Sequence, residues 1–217
     1  MSSFRVSYQT IEFGSTDIHI RTLRDKQEYS DPEGVAEQLG ICSANWSLFG
    51  VLWDSSKILA HFMSTENVDN LKVLEVGCGI GLTSLLLNHR QANITATDYH
   101  PEVGAFLDAN TELNGDPLIP FVRTGWADAS SSLGQFDLIV GSDLLYEREH
   151  AILLSSFIDK HTLDKGEVII VDPGRGNRNA FCRGMISHGF SVKEISIDDP
   201  SRMISNKGKI LRFLRAN

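Results

Sequence analysis

The stretch 72–81 combines three glycines with an acidic residue, in a spacing typical of turns that bind nucleosides. The apolar residues that open it predict a buried parallel strand, and residues 82–87 predict a helix directly after the turn. Gly77, Gly79 and Gly81 allow the backbone to turn sharply and to approach a ligand closely. A strand, a glycine turn and a helix in this order predict a nucleotide-type binding crevice.

Acidic residues near this turn indicate which nucleotide it can hold. A dinucleotide-binding turn requires its third glycine at position 82, where this chain has Leu82. Glu75, inside the strand, would repel a pyrophosphate and attract a cationic or amino-bearing ligand. Asp98 ends the next predicted strand, where it can accept hydrogen bonds from both ribose hydroxyls. The pattern Glu-x-Gly-x-Gly-x-Gly resembles motif I of the S-adenosylmethionine (AdoMet) methyltransferases; a plain glycine-rich turn beside a solvated aspartate is the alternative.

Another acidic residue, Asp143, follows a buried strand predicted at 136–140, and Tyr146 lies three positions later. A carboxylate at an apolar strand end is costly to desolvate unless a partner compensates its charge. Methyl transfer from a sulfonium moves positive charge onto an acceptor nitrogen, which a fixed carboxylate stabilises, while the Tyr146 hydroxyl can hold the amine in line. The same carboxylate raises the pKa of a lysine acceptor, so we assign the departing proton to water. A capping aspartate and a packing tyrosine before a helix at 148–160 are the alternative.

Tryptophans at two further positions have a structural and a functional interpretation. Trp126 follows a predicted strand and can stack on a purine, or it can be a core residue. Asp128, just beyond it, can reach an exocyclic amine or remain a solvated turn residue. Trp53 precedes the apolar part of a helical pattern within 46–63, where it either packs on the core or covers the cofactor.

The elements that would position these residues alternate along the chain. Residues 5–24 predict a β-hairpin around a polar turn, and 25–45 predict an irregular segment or a short helix. Predicted strands then follow at 73–76, 94–98, 119–125, 136–140, 167–171, 191–197 and 208–214. Helices are predicted near 46–63, from 82 onward, at 101–113, at 148–160, and after 175 to about 188. This pattern predicts an α/β fold, a Rossmann-like seven-stranded sheet with helices on both faces and an antiparallel last strand. We divide the chain into an N-terminal extension, 1–45, and a catalytic domain, 46–217.

Composition restricts the possible partners. The chain has 217 residues, 41% of them hydrophobic, enough for one domain with a sizeable core. Its net charge of −8 disfavours nucleic acid and suits a basic protein or a cationic side chain. The three cysteines, at 42, 78 and 182, indicate neither a disulfide framework nor a zinc site, and a small side chain in the turn explains Cys78. No secretory signal or long apolar run occurs, so we expect a cytoplasmic protein without membrane contact and without a bound metal.

Four motifs of this chain occur together in one known family. They are the hairpin ending in Ile-His-Ile-Arg-Thr-Leu, Leu-Trp53 before a helix, Glu-Val-Gly-Cys-Gly-Ile-Gly, and Asp143-x-x-Tyr146 after Ile-Val-Gly-Ser. In this combination the chain resembles methyltransferase family sixteen, the seven-strand AdoMet-dependent protein-lysine methyltransferases, over essentially its whole length. The resemblance implies Asp143 and Tyr146 at the acceptor. Around the cofactor it implies Trp53, Glu75, Gly77, Gly79, Gly81, Asp98 and Trp126, to which we add the adjacent Cys78, Tyr99 and Ser142.

The resemblance implies an enzyme that transfers a methyl group from AdoMet to a lysine of a protein substrate, and we expect a monomer or a weak dimer. A small-molecule N- or O-methyltransferase and a non-catalytic AdoMet-binding module are the alternatives; an acceptor clamp such as Asp143 and Tyr146 favours an enzyme. Asp172-Pro-Gly-Arg175 resembles the branch that methylates the β subunit of electron-transfer flavoprotein, but Trp53-Asp-Ser-Ser departs from that branch's Trp-Pro-Gly-Gly. Residues 142–146 lack the Asn/Asp-Pro-Pro-Tyr motif of adenine and glutamine methyltransferases.

Overall fold

The computed structural model describes residues 4–128, 133–197 and 207–215. Its strands are β1 (Val6–Phe13), β2 (Thr16–Leu23), β3 (Lys72–Val76), β4 (Asn93–Asp98), β5 (Phe121–Arg123), β6 (Phe136–Ser142), β7 (Thr162–Asp172), β8 (Phe190–Ser196) and β9 (Lys209–Arg215). Its α-helices are α1 (Val35–Gln38), α2 (Asp54–Thr65), α3 (Leu82–His89), α4 (Val103–Asn114), α5 (His150–His161) and α6 (Arg178–Ser187). Short 3₁₀ turns cover Ser43–Asn45 and Leu48–Gly50.

Seven strands form one mixed sheet in the order β5-β4-β3-β6-β7-β9-β8. The five strands from β5 to β7 are parallel, and β9 pairs antiparallel with both β7 and β8. Parallel neighbours need a crossover segment, usually a helix, whereas no helix is described between β8 and β9. The predicted Rossmann-like seven-stranded sheet with an antiparallel last strand is confirmed.

Helices cover both faces of this sheet. Side chains of successive strand residues point to opposite faces, so Val73 belongs to one apolar cluster and Leu74 to the other. The first cluster includes buried residues of α2, α3 and α4, and the second includes buried residues of α5 and α6. Among the described helices, none combines the length and the apolar composition that crossing a membrane requires.

The predicted N-terminal hairpin is also confirmed, as a separate two-stranded antiparallel sheet of β1 and β2. Ile18 and Ile20 are fully buried in the same apolar cluster as the helices. Two side-chain amides on α4 bind the backbone of β2: Asn110 accepts from Arg21 N at 2.6 Å, and Asn114 accepts from His19 N at 2.8 Å. The hairpin therefore packs on α4 through apolar side chains and through hydrogen bonds.

The helical pattern at 46–63 forms a regular helix only from Asp54 onward. Before it, the backbone at Gly50 lies so close to Leu23 that a Cβ at position 50 would collide with that side chain. Trp53 has an extended conformation, with φ −87° and ψ 143°, and precedes the first helical residue. Close contact with the hairpin replaces the expected first helical turns with 3₁₀ turns.

Candidate active site

The carboxyl ends of four parallel strands meet at one edge of the sheet. Val76 of β3 pairs with Thr97 of β4 and with Gly141 of β6. Ser142, the last residue of β6, pairs with Val171 of β7. The sheet therefore brings the glycine turn, Asp98, Asp143 and Asp172 to the same edge, where ligands of open α/β sheets bind.

The glycine turn has a left-handed backbone at all three glycines, with φ 61° at Gly77, 53° at Gly79 and 81° at Gly81. Close packing adds to this requirement, since a Cβ on Gly77 would lie 2.5 Å from Leu144 Cδ2. Gly81 is the N-cap residue of α3. The turn therefore cannot carry side chains at these glycines without strain or collision.

Cys78 lies within the turn but points into the protein. It is buried, and its backbone N–H donates to Thr97 O at 3.0 Å. Burial, with the nearby Asp98 and Glu75 carboxylates, raises the pKa of its thiol well above the ordinary value. Cys78 thus remains a neutral packing residue, and its direct contact with the cofactor stays a prediction.

Asp98 holds the glycine turn as well as facing the edge of the sheet. Its Oδ2 accepts from Gly79 N at 3.0 Å, and its Oδ1 accepts from His100 N at 2.9 Å. Burial raises the pKa of this carboxyl group above its ordinary value, although these backbone donors oppose the shift. Each oxygen retains a second acceptor position, so Asp98 can bind ribose hydroxyls while it orders the turn.

Tyr99, the next residue, connects the strand edge to the N-terminal segment. Its half-exposed side chain donates a hydrogen bond to the Leu39 carbonyl at 2.7 Å. Leu39 belongs to the segment 25–45, for which the sequence predicts no role. The hydrogen bond from Tyr99 attaches this segment beside the end of β4, next to the predicted cofactor site.

Glu75 is buried and bound to the helix that follows the turn. Its Oε2 accepts hydrogen bonds from the backbone N–H of Ser84, at 2.8 Å, and from the Ser84 hydroxyl. Burial raises the pKa of the Glu75 carboxyl to about 7, and the bonds from Ser84 oppose that shift. Glu75 therefore fixes the first turn of α3 against β3, a task that the sequence did not indicate.

This burial predicts a distinct pH dependence of stability. The folded pKa of Glu75, about 7, lies above the ordinary 4.5, so its contribution is complete below pH 4.5 and is lost as the pH rises through 7. Relative to wild type, Glu75→Gln should therefore gain about 3 kcal/mol in free energy of unfolding between pH 4.5 and 8. Urea denaturation at several pH values measures this difference.

The exposed Glu112 on α4 offers a matched control, and Glu112→Gln should follow the wild-type pH dependence. Parallel curves for Glu75→Gln and wild type would show that Glu75 titrates normally in the folded protein.

A segment before α2 covers the glycine turn. The Phe49 carbonyl oxygen lies 3.1 Å from the position of a Cβ on Gly79, and the Phe49 ring stacks on His100 with centroids 4.1 Å apart. The indole N–H of Trp53 donates to Leu48 O at 3.1 Å, and Lys26 Nζ lies 4.6 Å from the centroid of the indole ring. Trp53 thus belongs to the covering segment, and its direct contact with the cofactor stays a prediction.

Three aromatic rings from the segments that follow β5 and β6 contact one another. Trp126 and Tyr146 both make edge-to-face contacts with His150, with centroid distances of 5.0 and 4.6 Å. His150 Nδ1 forms a 3.0 Å hydrogen bond with Leu144 O. The sequence did not point to His150, because the first residue of a helix carries no spacing signal for such a contact. Its position orients both Trp126 and Tyr146.

Asp128 forms a local turn cap. Its Oδ2 accepts from Gly125 N at 2.6 Å and from the Thr124 hydroxyl at 3.1 Å. These bonds match the structural interpretation of Asp128, while Trp126 keeps its place beside the glycine turn, with its Cζ2 4.0 Å from a Cβ on Gly77.

Asp143 lies directly after β6 in a left-handed conformation, φ 56°. Its carboxylate is paired with Arg175: Nε donates to Oδ1 and Nη2 to Oδ2, each at 2.7 Å. The stretch Asp172-Pro-Gly-Arg175 stands out in the sequence, but its pattern predicts no role for Arg175. The signal was present, since Arg175 follows β7, the sheet neighbour of β6.

The phenol of Tyr146 is influenced by three nearby carboxylates, those of Asp98, Glu147 and Asp143. The residue is 46% exposed, and desolvation, followed by the nearby Asp98, Glu147 and Asp143 charges, raises the pKa of its phenol to about 12. The hydroxyl therefore stays protonated at neutral pH and acts as a hydrogen-bonding group rather than as a base.

The chemistry of this edge fits a nucleoside. It provides a left-handed glycine turn with close backbone approach, the Asp98 carboxylate for hydroxyl groups, and the Trp126 ring for a base. No group of three or more His, Cys, Asp or Glu side chains in the described part of the chain is arranged to hold a metal ion.

Comparisons with known proteins agree with this arrangement. A family model described as lysine methyltransferase matches residues 41–182, which is 142 of the 217 residues. Protein N-lysine methyltransferase METTL21A of Danio rerio is 27% identical over 167 residues, covering 72% of this chain and 76% of the relative. The electron transfer flavoprotein beta subunit lysine methyltransferase of Rattus norvegicus is 28% identical over 166 residues, covering 74% of this chain and 62% of the relative, less than two thirds of its length.

Among solved structures, the T. thermophilus 16S rRNA N2 G1207 methyltransferase RsmC, in complex with AdoMet and guanosine, superposes with a TM-score of 0.68. It is 13% identical, and the match covers 99% of this chain and 52% of that one. At this identity the likeness concerns the fold, which is that of an AdoMet-binding methyltransferase.

Proposed function

The chain belongs to the lysine methyltransferase family, and we propose that this AdoMet-dependent methyltransferase methylates the lysine side chain of a protein substrate at Asp143 and Tyr146. One observation carries the proposal: Asp143 and Tyr146 follow β6, whose end lies beside the glycine turn of β3. The acceptor groups and the cofactor groups therefore share one edge of the sheet, as a direct transfer between two bound molecules requires.

Each part of the edge has a defined task in this reaction. AdoMet, when bound, supplies a methyl group on a positively charged sulfur. The glycine turn and Asp98 hold the cofactor, through backbone approach and through hydrogen bonds to hydroxyl groups. The Asp143 carboxylate stabilises the positive charge that develops on the lysine nitrogen. The neutral Tyr146 hydroxyl orients the amine for attack, and the proton of the lysine leaves to water.

The names of the relatives support a protein substrate. One is a protein N-lysine methyltransferase, and the other is a lysine methyltransferase of the electron transfer flavoprotein beta subunit. The net charge of −8 and the exposed Glu147 near the acceptor residues favour a substrate that presents its lysine on a basic surface. We propose that the enzyme acts in the cytoplasm, since the free thiols of all three cysteines suit a reducing compartment. We also propose that it acts as a monomer or weak dimer.

Radiolabelled AdoMet provides the direct test. We expect the purified enzyme, incubated with labelled AdoMet and a cell lysate, to label discrete protein bands, and mass spectrometry of those bands to place the methyl group on lysine. A reaction with heat-inactivated enzyme is the control. Label confined to the small-molecule fraction would contradict the proposal in favour of a small-molecule methyltransferase, and label on a different side chain would contradict the lysine assignment.

A further inference from the structure

Both oxygens of the Asp143 carboxylate are bound by a single guanidinium. Arg175 Nε and Nη2 donate to Oδ1 and Oδ2 at 2.7 Å each, in the parallel two-bond geometry that is strongest for arginine and a carboxylate. The Asp143 side chain is 11% exposed and that of Arg175 is 43% exposed. The acceptor carboxylate therefore carries a compensating positive charge before any substrate arrives.

The surrounding backbone holds this pair in place. Asp143 N donates to Val171 O at 2.9 Å, which ties the aspartate to the end of β7. Arg175 N donates to Oδ1 of the buried Asp172 at 3.3 Å, across a loop with left-handed glycines at 174 and 176. Both members of the pair are thus anchored through their backbone to the same strand end, which keeps the guanidinium within reach of the carboxylate.

An unpaired carboxylate would create a difficulty for the proposed reaction. A lysine can attack the methyl group only through a free lone pair, so its ammonium must first lose a proton. A lone negative charge beside the ammonium favours the charged form and makes that loss harder. The transition state nevertheless needs a negative group close to the nitrogen.

We propose that Arg175 is a positioning residue that acts through Asp143 and lowers the proton affinity of the acceptor lysine. Its positive charge offsets the carboxylate while the lysine is deprotonated to water, and its two hydrogen bonds aim the remaining carboxylate lone pairs at the amine. The nitrogen lone pair then forms the new N–C bond, and the C–S electron pair stays on sulfur. This inference rests on the proposed lysine acceptor.

Other charges near the pair stay constant when only Arg175 is changed. Asp172 acts on both members of the pair, and Arg178 pairs with Asp172. Tyr146 lies near Asp143, and the other groups around Tyr146 are Asp98, Glu147, Cys42 and His150. A pH effect that appears on substitution of Arg175 therefore reports the loss of its own charge.

Two substitutions separate charge from geometry. Arg175→Gln removes the charge, whereas Arg175→Lys keeps the charge but loses the two-bond fork. Initial rates of label transfer from saturating AdoMet into lysate proteins are measured from pH 6.5 upward until the rates of wild type and variant no longer rise, each variant against wild type on the same lysate. Arg183→Gln, at an exposed position of α6, is the matched control for the loss of one positive charge.

We expect Arg175→Gln to move the rising limb of the pH profile up by about one pH unit, as expected for one partly solvated charge nearby. Its rate relative to wild type should be about one tenth at pH values below the wild-type midpoint and should approach one at pH values above the midpoint of the variant, following the ordinary titration of one proton. For Arg175→Lys, the rate relative to wild type should be below one at every pH and should not change with pH. For Arg183→Gln, this ratio should be near one. AdoMet affinity, measured by calorimetry, should be the same in all four proteins.

Three results would overturn the inference. A ratio for Arg175→Gln that stays constant while the rates of both proteins rise to their plateaus would leave Arg175 a purely structural partner of Asp143. A rate above wild type at pH 7 would show that Arg175 blocks the acceptor. Label on a group other than an amine would refute the proposed function, and the inference with it; mass spectrometry of the labelled wild-type product distinguishes this case from the first two. Melting curves of each variant confirm folding.

Discussion

Asp143→Asn is expected to reduce turnover about 100-fold or more, the usual effect of losing one preorganised electrostatic group, while AdoMet affinity stays close to that of wild type. Asparagine keeps the shape and one acceptor oxygen, but it lacks the charge that stabilises the developing ammonium. It also breaks the symmetric pairing with Arg175, because one of the two guanidinium donors then faces an amide NH2 group. Calorimetric AdoMet binding and label transfer into lysate proteins are measured on the same preparation.

The same strand offers a matched control for this substitution. Asp137 lies at the opposite end of β6 and accepts from Lys72 N at 2.8 Å. Asp137→Asn keeps an acceptor for that bond and should keep wild-type turnover. Tyr146→Phe should lower turnover more mildly than Asp143→Asn, because it removes one hydroxyl and leaves the ring against His150.

Two outcomes would refute the assignment of Asp143. Wild-type turnover in Asp143→Asn would place the acceptor site elsewhere. Loss of AdoMet binding in this variant would instead place Asp143 in the cofactor pocket and remove the basis of the proposed mechanism.

Asp98→Ala is expected to weaken AdoMet binding by about 1.5–3 kcal/mol, the range for a lost hydrogen bond to a charged group, or roughly 10- to 150-fold. Besides its proposed bonds to ribose hydroxyls, the carboxylate binds the backbone N–H groups of Gly79 and His100. Removing it therefore affects both the ligand contacts and the order of the glycine turn. Calorimetry with S-adenosylhomocysteine gives the affinity without turnover.

A second ligand separates these two effects. For 2′-deoxy-S-adenosylhomocysteine, which lacks one ribose hydroxyl, Asp98→Ala should cost less affinity than it costs for the parent compound. Equal losses for both ligands would show that Asp98 acts only by ordering the turn. The exposed Asp108 on α4 provides the control substitution, and Asp108→Ala should bind both ligands as wild type does.

Most of the fold was predictable because it depends on local patterns. Alternating and continuous apolar runs indicated the strands, and glycine and proline positions indicated their ends. The exact limits were less predictable: β5 is limited to Phe121–Arg123, against the predicted 119–125, and β7 extends over Thr162–Asp172, against 167–171. Strand limits depend on the partner strand, whose position the local pattern does not contain.

The cover over the glycine turn illustrates the same limit. The apolar spacing at 46–63 correctly predicts a helix from Asp54 onward. In its first part, where Gly50 contacts Leu23 of the hairpin, the chain forms a 3₁₀ turn instead. That contact joins residues far apart in the chain, so a local pattern cannot report it. As a result, the placement of Phe49 over Gly79 became visible only in the structure.

The sequence by itself determined which side chains end the parallel strands, because strand, turn and helix signals are local; Asp98 and Asp143 were found in this way. Only the tertiary structure decided what those carboxylates contact. Sheet order places β7 beside β6 and so brings Arg175 onto Asp143, and the packing of α3 on β3 buries Glu75 against Ser84. A carboxylate has the same identity in either environment, but its charge, pKa and partners follow from long-range packing, which residue types and spacing do not specify.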